Sequence, residues 1–315
     1  MSTSTASLRP AARPVKALLA RAIDGTVKQR RLGAFALYTV ARRIVRAFEN
    51  HDVDMTTNGE RWLQGRLAAR GPVDAMDVGA NRGEWVEGLL AHRTARRVVC
   101  YEPVPATFRA LAARTNDPRA ILVEAALSAS PGSLRLNAVL DNPSISSVYD
   151  IACYQDGHPI EPIEVPATTG DREMARLGLS HLTILKIDAE GHDLAVASGF
   201  AGALGRGAID LVQFEVNQFT LAAHQSLRAF FQLFGEAYLV CRLLPRGLEA
   251  CGYHPMLDSF SQSNWVAVRR AYLDAAAVRD LGLRAAGGEP GRALARALAG
   301  NRLATLLGLE QGAPA

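Results

Sequence analysis

The sequence predicts an α/β fold with a doubly wound, mostly parallel sheet, because short apolar runs alternate with helical patterns after residue 69. Two further observations place a ligand site on this sheet. The run at 75–78 leads directly into a glycine turn, Gly79 to Gly83, and the run at 97–101 is followed by the carboxylate of Glu102. Glycines let the backbone approach a ligand, and an acid after the next strand accepts hydrogen bonds from ribose hydroxyls. This pairing predicts a nucleotide-like cofactor at the carboxyl edge of the sheet.

Eight short apolar runs predict the strands of this fold. They lie at residues 75–78, 97–101, 120–124, 134–138, 183–187, 209–215, 238–243 and 264–268. Helical patterns between them predict crossover helices at 85–92, 106–113 and 222–234. The segment 159–166 carries three prolines among Ile and Val residues, which is typical of an extended or edge segment. The Ala-, Leu- and Arg-rich residues 271–315 predict helices broken at Gly287-Gly288 and Pro290.

Composition and pattern divide the chain into three predicted parts: a basic helical N-terminal arm (1–50), a cofactor-binding domain (51–270) and a C-terminal helical extension (271–315). Residues 1–50 hold ten Lys or Arg and two acids, although the net charge of the whole chain is only +4. Apolar residues recur at helical spacing through 15–48, with arginines on the outer face. These helices either cover the domain as a lid or dimer surface, or contact anionic lipid or a phosphate-bearing carrier.

The chain is expected to be cytoplasmic, with peripheral membrane contact through residues 15–48 as a further option. No uncharged apolar run approaches the ~18 residues that a membrane-spanning helix needs. The four cysteines are too sparse for a disulfide framework and lack a C-x-x-C metal spacing, so we expect reduced thiols at Cys100, Cys153, Cys241 and Cys251. The sequence does not determine the oligomeric state, and a homodimer is one option.

Polar side chains follow three more of the predicted strands, at the edge where an open sheet places its ligand crevice. These strand ends carry Asp188, Glu190 and His192; Glu215 and Asn217; and Glu124 with Ala125. Carboxylates, an imidazole and an amide at one edge are groups that can orient a ligand and accept a proton.

Together these motifs resemble the FkbM family of S-adenosylmethionine-dependent methyltransferases. The resemblance rests on 77–83, Tyr101-Glu102-Pro103, Ala126-Leu127-Ser128 with Gly132 following, and 185–191, while 214–217 and 264–268 are similar to the family's closing strands. It covers about residues 73–268 and neither arm. It implies a class I methyltransferase fold, a Rossmann-like, seven-stranded sheet whose last strand runs antiparallel. It also implies S-adenosylmethionine as the cofactor and a hydroxyl of a macrolide, sugar or glycan as the acceptor.

The resemblance also assigns roles to individual residues. The residues expected to line the methionine end of the cofactor are Asp77, Gly79, Ala80, Asn81 and Gly83. Glu102 takes the ribose hydroxyls, Glu124 and Ala125 lie at the adenine, and Asp188 meets the cofactor ammonium or the substrate. Glu124 departs from the family pattern, in which a small or amide residue is expected at this place.

An alcohol is a poor acid, so a group of the protein must take its proton as the new C–O bond forms. His192 is the first candidate, since its ordinary pKa near 6.5 suits a base at neutral pH. The alternative is that His192 caps the following helix or is solvated. Glu190 is a second candidate if burial raises its pKa, and Asp188 completes the catalytic set. Lys186 is expected in a structural ion pair with Asp188 or Glu215.

A mechanism without a metal is favoured, and Mg²⁺ is the alternative. Asp188, Glu215 and Asn217 are oxygen donors from adjacent strand ends, and a hard cation held there would lower the pKa of the acceptor hydroxyl. Without a metal, Glu215 and Asn217 would hydrogen-bond the substrate or the loop backbone.

Three other functions compete with O-methylation of a hydroxylated small molecule or glycan. Nucleic-acid methylation suits the isoelectric point near 9.0, but the basic charge lies in the arms, and neither an N-P-P-Y-type motif nor a suitably placed cysteine occurs. We therefore expect no nucleic-acid partner. The glycine spacing disfavours a nicotinamide oxidoreductase. The third option is a binding domain without turnover, against which the intact Asp77, Gly79, Gly83, Glu102 and Asp188 argue.

Overall fold

A computed structural model of the chain describes residues 12–150 and 157–309. The chain divides into two compact units, Met1–Glu49 and Asn50–Ala315. In the first unit, helices α1 (Ala12–Val27) and α2 (Ala34–Phe48) are separated by a short turn, in which Gly33 has φ of 85°. The start of the chain, residues 1–11, and Cys153 lie outside the described residues, as do 310–315.

The second unit is built on one large sheet. Its strands are β1 (Val73–Val78), β2 (Ala95–Tyr101), β3 (Ala120–Val123), β7 (Leu182–Ile187), β8 (Ile209–Val216), β9 (Tyr238–Leu244), β10 (Gly247–Ala250), β11 (Ser263–Arg269) and β12 (Leu283–Ala285). Their order across the sheet is β12-β10-β9-β11-β8-β7-β1-β2-β3. Strands β3 to β8 of this sheet are parallel, and β11 runs antiparallel to both of its neighbours. The predicted α/β fold with a mostly parallel sheet is confirmed. The last of the predicted strands, which is β11, runs antiparallel as expected.

Eleven α-helices of the described second unit precede, connect or follow these strands along the chain. Their bounds are α3 (Glu60–Arg70), α4 (Glu84–Leu90), α5 (Pro105–Arg114), α6 (Gly170–Arg176), α7 (Asp193–Ser198), α8 (Ala201–Gly205), α9 (Gln218–Ala222), α10 (Leu227–Phe234), α11 (Ala275–Asp280), α12 (Gly288–Ala297) and α13 (Arg302–Leu306). Every residue of β1, β8 and β9 is buried, as expected for strands covered on both faces. Alternate residues of β1 therefore fill two different cores: Ala75 belongs to one, and Met76 and Val78 to the other.

A second, three-stranded sheet contains β4 (Ala126–Leu127), β5 (Gly132–Val139) and β6 (Ile160–Thr168), in the order β4-β6-β5. The apolar run at 134–138 lies in this small sheet and not in the large one. The segment at 159–166 is extended, as predicted. Over Ile160 to Pro166 it pairs with β5 alone, because β4 reaches only Ala167 and Thr168. The prolines therefore lie where the strand still has a free edge.

The large sheet has nine strands where seven were expected. The two additional strands are β10, which forms a hairpin with β9, and β12, which pairs with β10. The residues of β12 fall in the segment 271–315, before the predicted break at Gly287-Gly288, where a helix was expected. The apolar side chains of this C-terminal segment, among them Leu273, Leu281 and Leu294, belong to the same core as Ala75.

Two predictions about helices need correction. The helix predicted at 222–234 begins only at Leu227, as α10, because Ala222 ends the preceding helix α9 and His224 between them has φ of 55°. Pro290 does not break a helix, because it lies in the first turn of α12, where its missing N–H is not needed. Cys100, Cys241 and Cys251 are buried free thiols.

Candidate active site

A cavity of about 620 Å³ opens at the carboxyl ends of β1, β2, β7 and β8. At this place the strand order reverses, because β1 lies between β2 and β7 although β7 comes much later in the chain. Such a switch point is where open α/β sheets bind their ligands. The cavity is lined by the turn after β1, the residues after β2, β7 and β8, and a segment at 141–148 that follows the small sheet's β5.

The turn after β1 requires glycine at position 79. Gly79 has φ of 77°, and a Cβ atom there would lie 1.8 Å from the backbone oxygen of Asp188. The N–H groups of Gly79 and Ala80 donate to the carbonyl of Tyr101, at 3.0 and 2.9 Å. Gly83, with φ of 89°, ends the turn and precedes α4. The glycines thus bring the end of β1 against both neighbouring strand ends.

Glu102 is held in one orientation by two backbone donors. The N–H of Asn81 donates to Oε2 and the N–H of Val104 to Oε1, both at 2.9 Å. The side chain is 5% exposed and lines the cavity. Burial raises the pKa of Glu102 to about 7, while the two N–H donors act in the opposite direction. Each carboxylate oxygen retains a lone pair for a ligand hydroxyl.

Asp77, Lys186 and Asp188 form a chain of charges beneath the cavity. Lys186 Nζ lies 3.3 Å from Asp77 Oδ1 and 3.2 Å from Asp188 Oδ2. Burial raises the pKa of the fully buried Asp77 to about 6, and Lys186 opposes that shift. Burial alone would lower the pKa of Lys186, but Asp188 and Asp77 outweigh it and raise the pKa. In the described residues Asp77 is not part of the cavity wall; it supports the wall through Lys186.

Three carboxylates of the cavity wall lie close together. Asp188, Glu190 and Glu215 each offer an oxygen, and these oxygens lie within 4.8 Å of one another. Glu215 is 8% exposed, and its Oε1 has no hydrogen-bond partner among the described residues. Burial, and then the neighbouring carboxylates, raise the pKa of Glu215 and of Glu190 well above the ordinary value. The negative charge of these three carboxylates therefore has to be neutralised by bound protons or balanced by a cation.

The structure groups a different set of possible metal ligands from the one that the sequence suggested. The side-chain oxygen of Asn217 accepts hydrogen bonds from the N–H groups of Phe219 and Thr220, at 2.8 and 3.3 Å, and so caps α9. Its Nδ2 lies 3.5 Å from Glu190 Oε2. Glu190 thus occupies, beside Asp188 and Glu215, the place that the sequence gave to Asn217.

His192 lies in the cavity wall with both ring nitrogens engaged. Nε2 is 2.9 Å from Ser128 Oγ, and Nδ1 is 3.2 Å from the hydroxyl of Tyr149. The side chain makes no capping bond to α7. Burial lowers the pKa of His192 to about 4, so the ring is neutral at pH 7. A neutral imidazole has one acceptor nitrogen, which one of these hydroxyls or a ligand can use.

The segment at 141–148 is tied to the same wall. Asn81 Nδ2 donates to Ser144 Oγ at 2.9 Å, and the hydroxyl of Ser147 donates to the backbone oxygen of Glu190 at 2.7 Å. Ser128, Ser147 and Tyr149 were not singled out from the sequence as site residues. Ser128 belongs to a motif that carries the family resemblance, but no role was assigned to it, and Ser147 and Tyr149 belong to none of the motifs.

Two adjacent residues after β3 have different surroundings. Glu124 is exposed, and within the described part of the chain its side chain does not line the cavity. Ala125 and Ala126 do line it. Small residues and not the carboxylate therefore form the wall at the place assigned to the adenine.

The strand order, a cavity at the switch point and an acid facing a glycine turn define an α/β enzyme of the nucleotide-cofactor-binding class. A family model described as the methyltransferase FkbM domain matches residues 77–255, which is more than half of the chain. The chain belongs to this FkbM family of methyltransferases. The family expected from the sequence is thereby confirmed.

Solved methyltransferases are similar in structure but distant in sequence. An FkbM methyltransferase from Methylobacillus flagellatus KT is 14% identical with a TM-score of 0.39, over 62% of this chain and 43% of that one. An O-methyltransferase from Bacillus cereus in complex with SAH is 11% identical with a TM-score of 0.38, over 70% and 83%. The plantazolicin methyltransferase BpumL in complex with SAH is 10% identical with a TM-score of 0.36, over 82% and 99%. The chain spans less than half of the length of the Methylobacillus protein. No curated protein matches the chain.

Proposed function

We propose that the protein is an S-adenosylmethionine-dependent O-methyltransferase that acts on a hydroxyl group of a sugar, glycan or related natural product. The observation that carries this proposal is that one cavity is lined by two kinds of group. Glu102 is oriented beside the glycine turn, and the carboxylates of Asp188, Glu190 and Glu215 lie together in the same wall as His192.

Glu102 and the residues around it fit the proposed cofactor. Glu102 offers two fixed oxygens for the ribose hydroxyls, and the turn from Gly79 to Asn81 allows close approach to the methionine part. Ala125 and Ala126 leave room for a flat base. The cofactor carries positive charge on its sulfonium and ammonium groups, which the carboxylate cluster would balance.

When bound, the cofactor supplies an electrophilic methyl group, so the protein has to orient the acceptor and accept its proton. Orientation can lower the barrier by about 7–11 kcal/mol. Carboxylates and amides of the cavity wall, among them Asn217 and Gln262, can hydrogen-bond several hydroxyls of a polyol at once. This lining favours a hydroxylated acceptor over an apolar one.

His192 is the proposed proton acceptor, because it is neutral at pH 7 and lies in the cavity wall. An acceptor hydroxyl would replace Ser128 or Tyr149 as the donor to the basic nitrogen. Glu190 is the competing base. At saturating cofactor, a His192 base with a pKa of about 4 gives a kcat that has reached its plateau well below pH 7. A Glu190 base, whose pKa burial raises well above its ordinary value, gives a kcat that reaches its plateau only at a higher pH.

The proposal is tested by calorimetric titration with S-adenosylhomocysteine, followed by transfer of labelled methyl groups to a panel of sugars, glycans and polyhydroxylated natural products. We expect binding, and transfer to at least one hydroxyl acceptor. His192→Asn should lower kcat by about 10²–10⁴-fold and leave affinity for S-adenosylhomocysteine unchanged. An unchanged kcat would exclude His192 as the base, and binding without transfer to any acceptor would favour a silent binding domain.

Two further arms separate the alternatives. EDTA should leave transfer unchanged if no metal takes part, whereas loss of activity that Mg²⁺ restores would support a cation at Asp188, Glu190 and Glu215. RNA and DNA should not be methylated. Methylation that falls steeply with added salt would instead favour a nucleic-acid substrate.

A further inference from the structure

Helix α2 presents a continuous apolar face to solvent. Leu37, Val40, Ile44 and Phe48 follow one another at intervals of three and four residues, so they form one stripe along the helix. Their exposed fractions are 50, 57, 62 and 80%, values typical of polar surface residues. Large apolar side chains that remain this exposed in a continuous stripe indicate a binding surface.

The opposite side of α2 is basic. Arg42, Arg43 and Arg46 lie away from the apolar stripe and are exposed. From residue 25 to 48 the sequence contains six Lys or Arg and no acid. The stripe therefore lies within a stretch of purely positive charge, which is complementary to an anionic partner.

We propose that α2 is an interfacial anchor that binds an anionic lipid bilayer, lying in the headgroup region with the stripe of Leu37, Val40, Ile44 and Phe48 towards the acyl chains. A helix with an apolar face and a basic face lies in this way along an anionic membrane. The helix has 15 residues, and in the described part of the chain no helix is long and apolar enough to cross a membrane.

The side chains beside the stripe suit the boundary between lipid tails and headgroups. Tyr38 lies next to the stripe, and the guanidinium of Arg42 is 5.7 Å from the centre of its ring. An aromatic ring with a polar tip and a long arginine side chain both favour this boundary. A second copy of the chain would cover the apolar stripe but would bring two strongly basic helices together, which the charge opposes.

The test is co-sedimentation of the full chain with vesicles of phosphatidylcholine alone and of phosphatidylcholine mixed with phosphatidylglycerol, at low and at high salt. We expect binding to the anionic vesicles that weakens with salt. The triple variant Arg42→Ala, Arg43→Ala, Arg46→Ala should bind on the order of 100-fold more weakly, since each basic residue near the surface strengthens binding about fivefold. The double variant Ile44→Ser, Phe48→Ser should also lose binding, because its apolar contact is removed.

A matched control removes the same charge elsewhere. Arg109, Arg135 and Arg172 are exposed arginines of the second unit, and their replacement by Ala should leave vesicle binding nearly unchanged. Circular dichroism and thermal unfolding verify that every variant is folded. The proposal does not depend on the methyltransferase activity, which none of these measurements uses.

Three results would overturn the anchor. The first is no sedimentation with either vesicle, and the second is equal binding by the wild type and the arginine variant of α2. The third is a wild type that does not bind vesicles but forms a concentration-dependent dimer in ultracentrifugation, which the Ile44 and Phe48 variant abolishes. That last result would assign the stripe to a second copy of the chain.

Discussion

Replacing Glu102 by Ala removes the side chain that we place at the ribose hydroxyls of the cofactor. In the unliganded protein the same carboxylate accepts hydrogen bonds from the N–H groups of Asn81 and Val104. The substitution therefore removes both ligand acceptors and leaves two backbone donors without their partner.

The expected loss in affinity follows from these contacts. Hydrogen bonds to a charged group contribute about 1.5–3 kcal/mol, so losing the bidentate carboxylate should cost about 2–3 kcal/mol of binding free energy. That corresponds to a dissociation constant for S-adenosylhomocysteine that rises roughly 30- to 150-fold.

The pH dependence gives this prediction a second, independent part. Burial raises the pKa of Glu102 to about 7. In the proposed complex the ribose hydroxyls would donate to the ionised form of this carboxyl. Below pH 7 a proton must leave before the ligand binds, so affinity should fall roughly tenfold for each unit of pH below that value. Above about pH 8 the affinity should be constant. Calorimetric titrations across this range measure it, and in Glu102→Ala this dependence should be absent.

Glu124→Ala is the matched control, because Glu124 is also a glutamate after a strand but is exposed. Its removal should change affinity less than about twofold. A folded Glu102→Ala variant that binds S-adenosylhomocysteine like the wild type would refute the proposed role of Glu102. A large effect of Glu124→Ala would instead restore the adenine contact that the sequence assigned to it.

Three further predictions concern the charges and the turn around the cavity. Lys186→Met should lower the free energy of unfolding by about 3–5 kcal/mol in urea denaturation, because the fully buried Asp77 loses its counter-charge; a neutral effect would contradict the ion pair. Gly79→Ala should lower the free energy of unfolding far more than Gly178→Ala. Both glycines have positive φ, but only at position 79 would a Cβ atom lie 1.8 Å from a backbone atom. Equal losses of stability in the two variants would contradict this close approach. Glu215→Gln should raise the melting temperature at about pH 8, because the pKa of Glu215 is raised on folding and its ionisation costs stability as pH rises. This gain should vanish near pH 4, where the carboxyl is protonated in both states, and a fall in melting temperature at pH 8 would exclude a strained charge.

The sequence predicted the strands well because each of them contains a short apolar run, which is clearest in β1, β8 and β9, where every residue is buried. All eight runs form strands, and seven of them lie in the large sheet. It did not reveal that the run at 134–138 lies in a separate sheet, since periodicity carries no information on pairing partners. The strands β10 and β12 are only four and three residues long, and Leu283, Arg284 and Ala285 are good helix formers in isolation.

Other differences come from contacts between distant parts of the chain. The helical pattern at 222–234 is interrupted, and the first N–H of α10, on Leu227, donates to Asp258 Oδ1 at 2.7 Å. Such a tertiary cap leaves no local signal in the sequence. The same limit applies to the site: the sequence places His192 after β7, but only the fold brings Ser128 and Tyr149 to its two nitrogens.

The segment at 141–149 shapes the cavity and is bonded to the residues that we expect to do the chemistry. Ser144 bonds to Asn81, Ser147 to the backbone of Glu190, and Tyr149 to His192. Under the proposed function, the segment that would select the acceptor is therefore also the segment that holds the proposed base in place. A graft of this segment from a relative, made to change the acceptor, would have to inherit a hydroxyl at each of these three positions, or the new acceptor would meet a misplaced base.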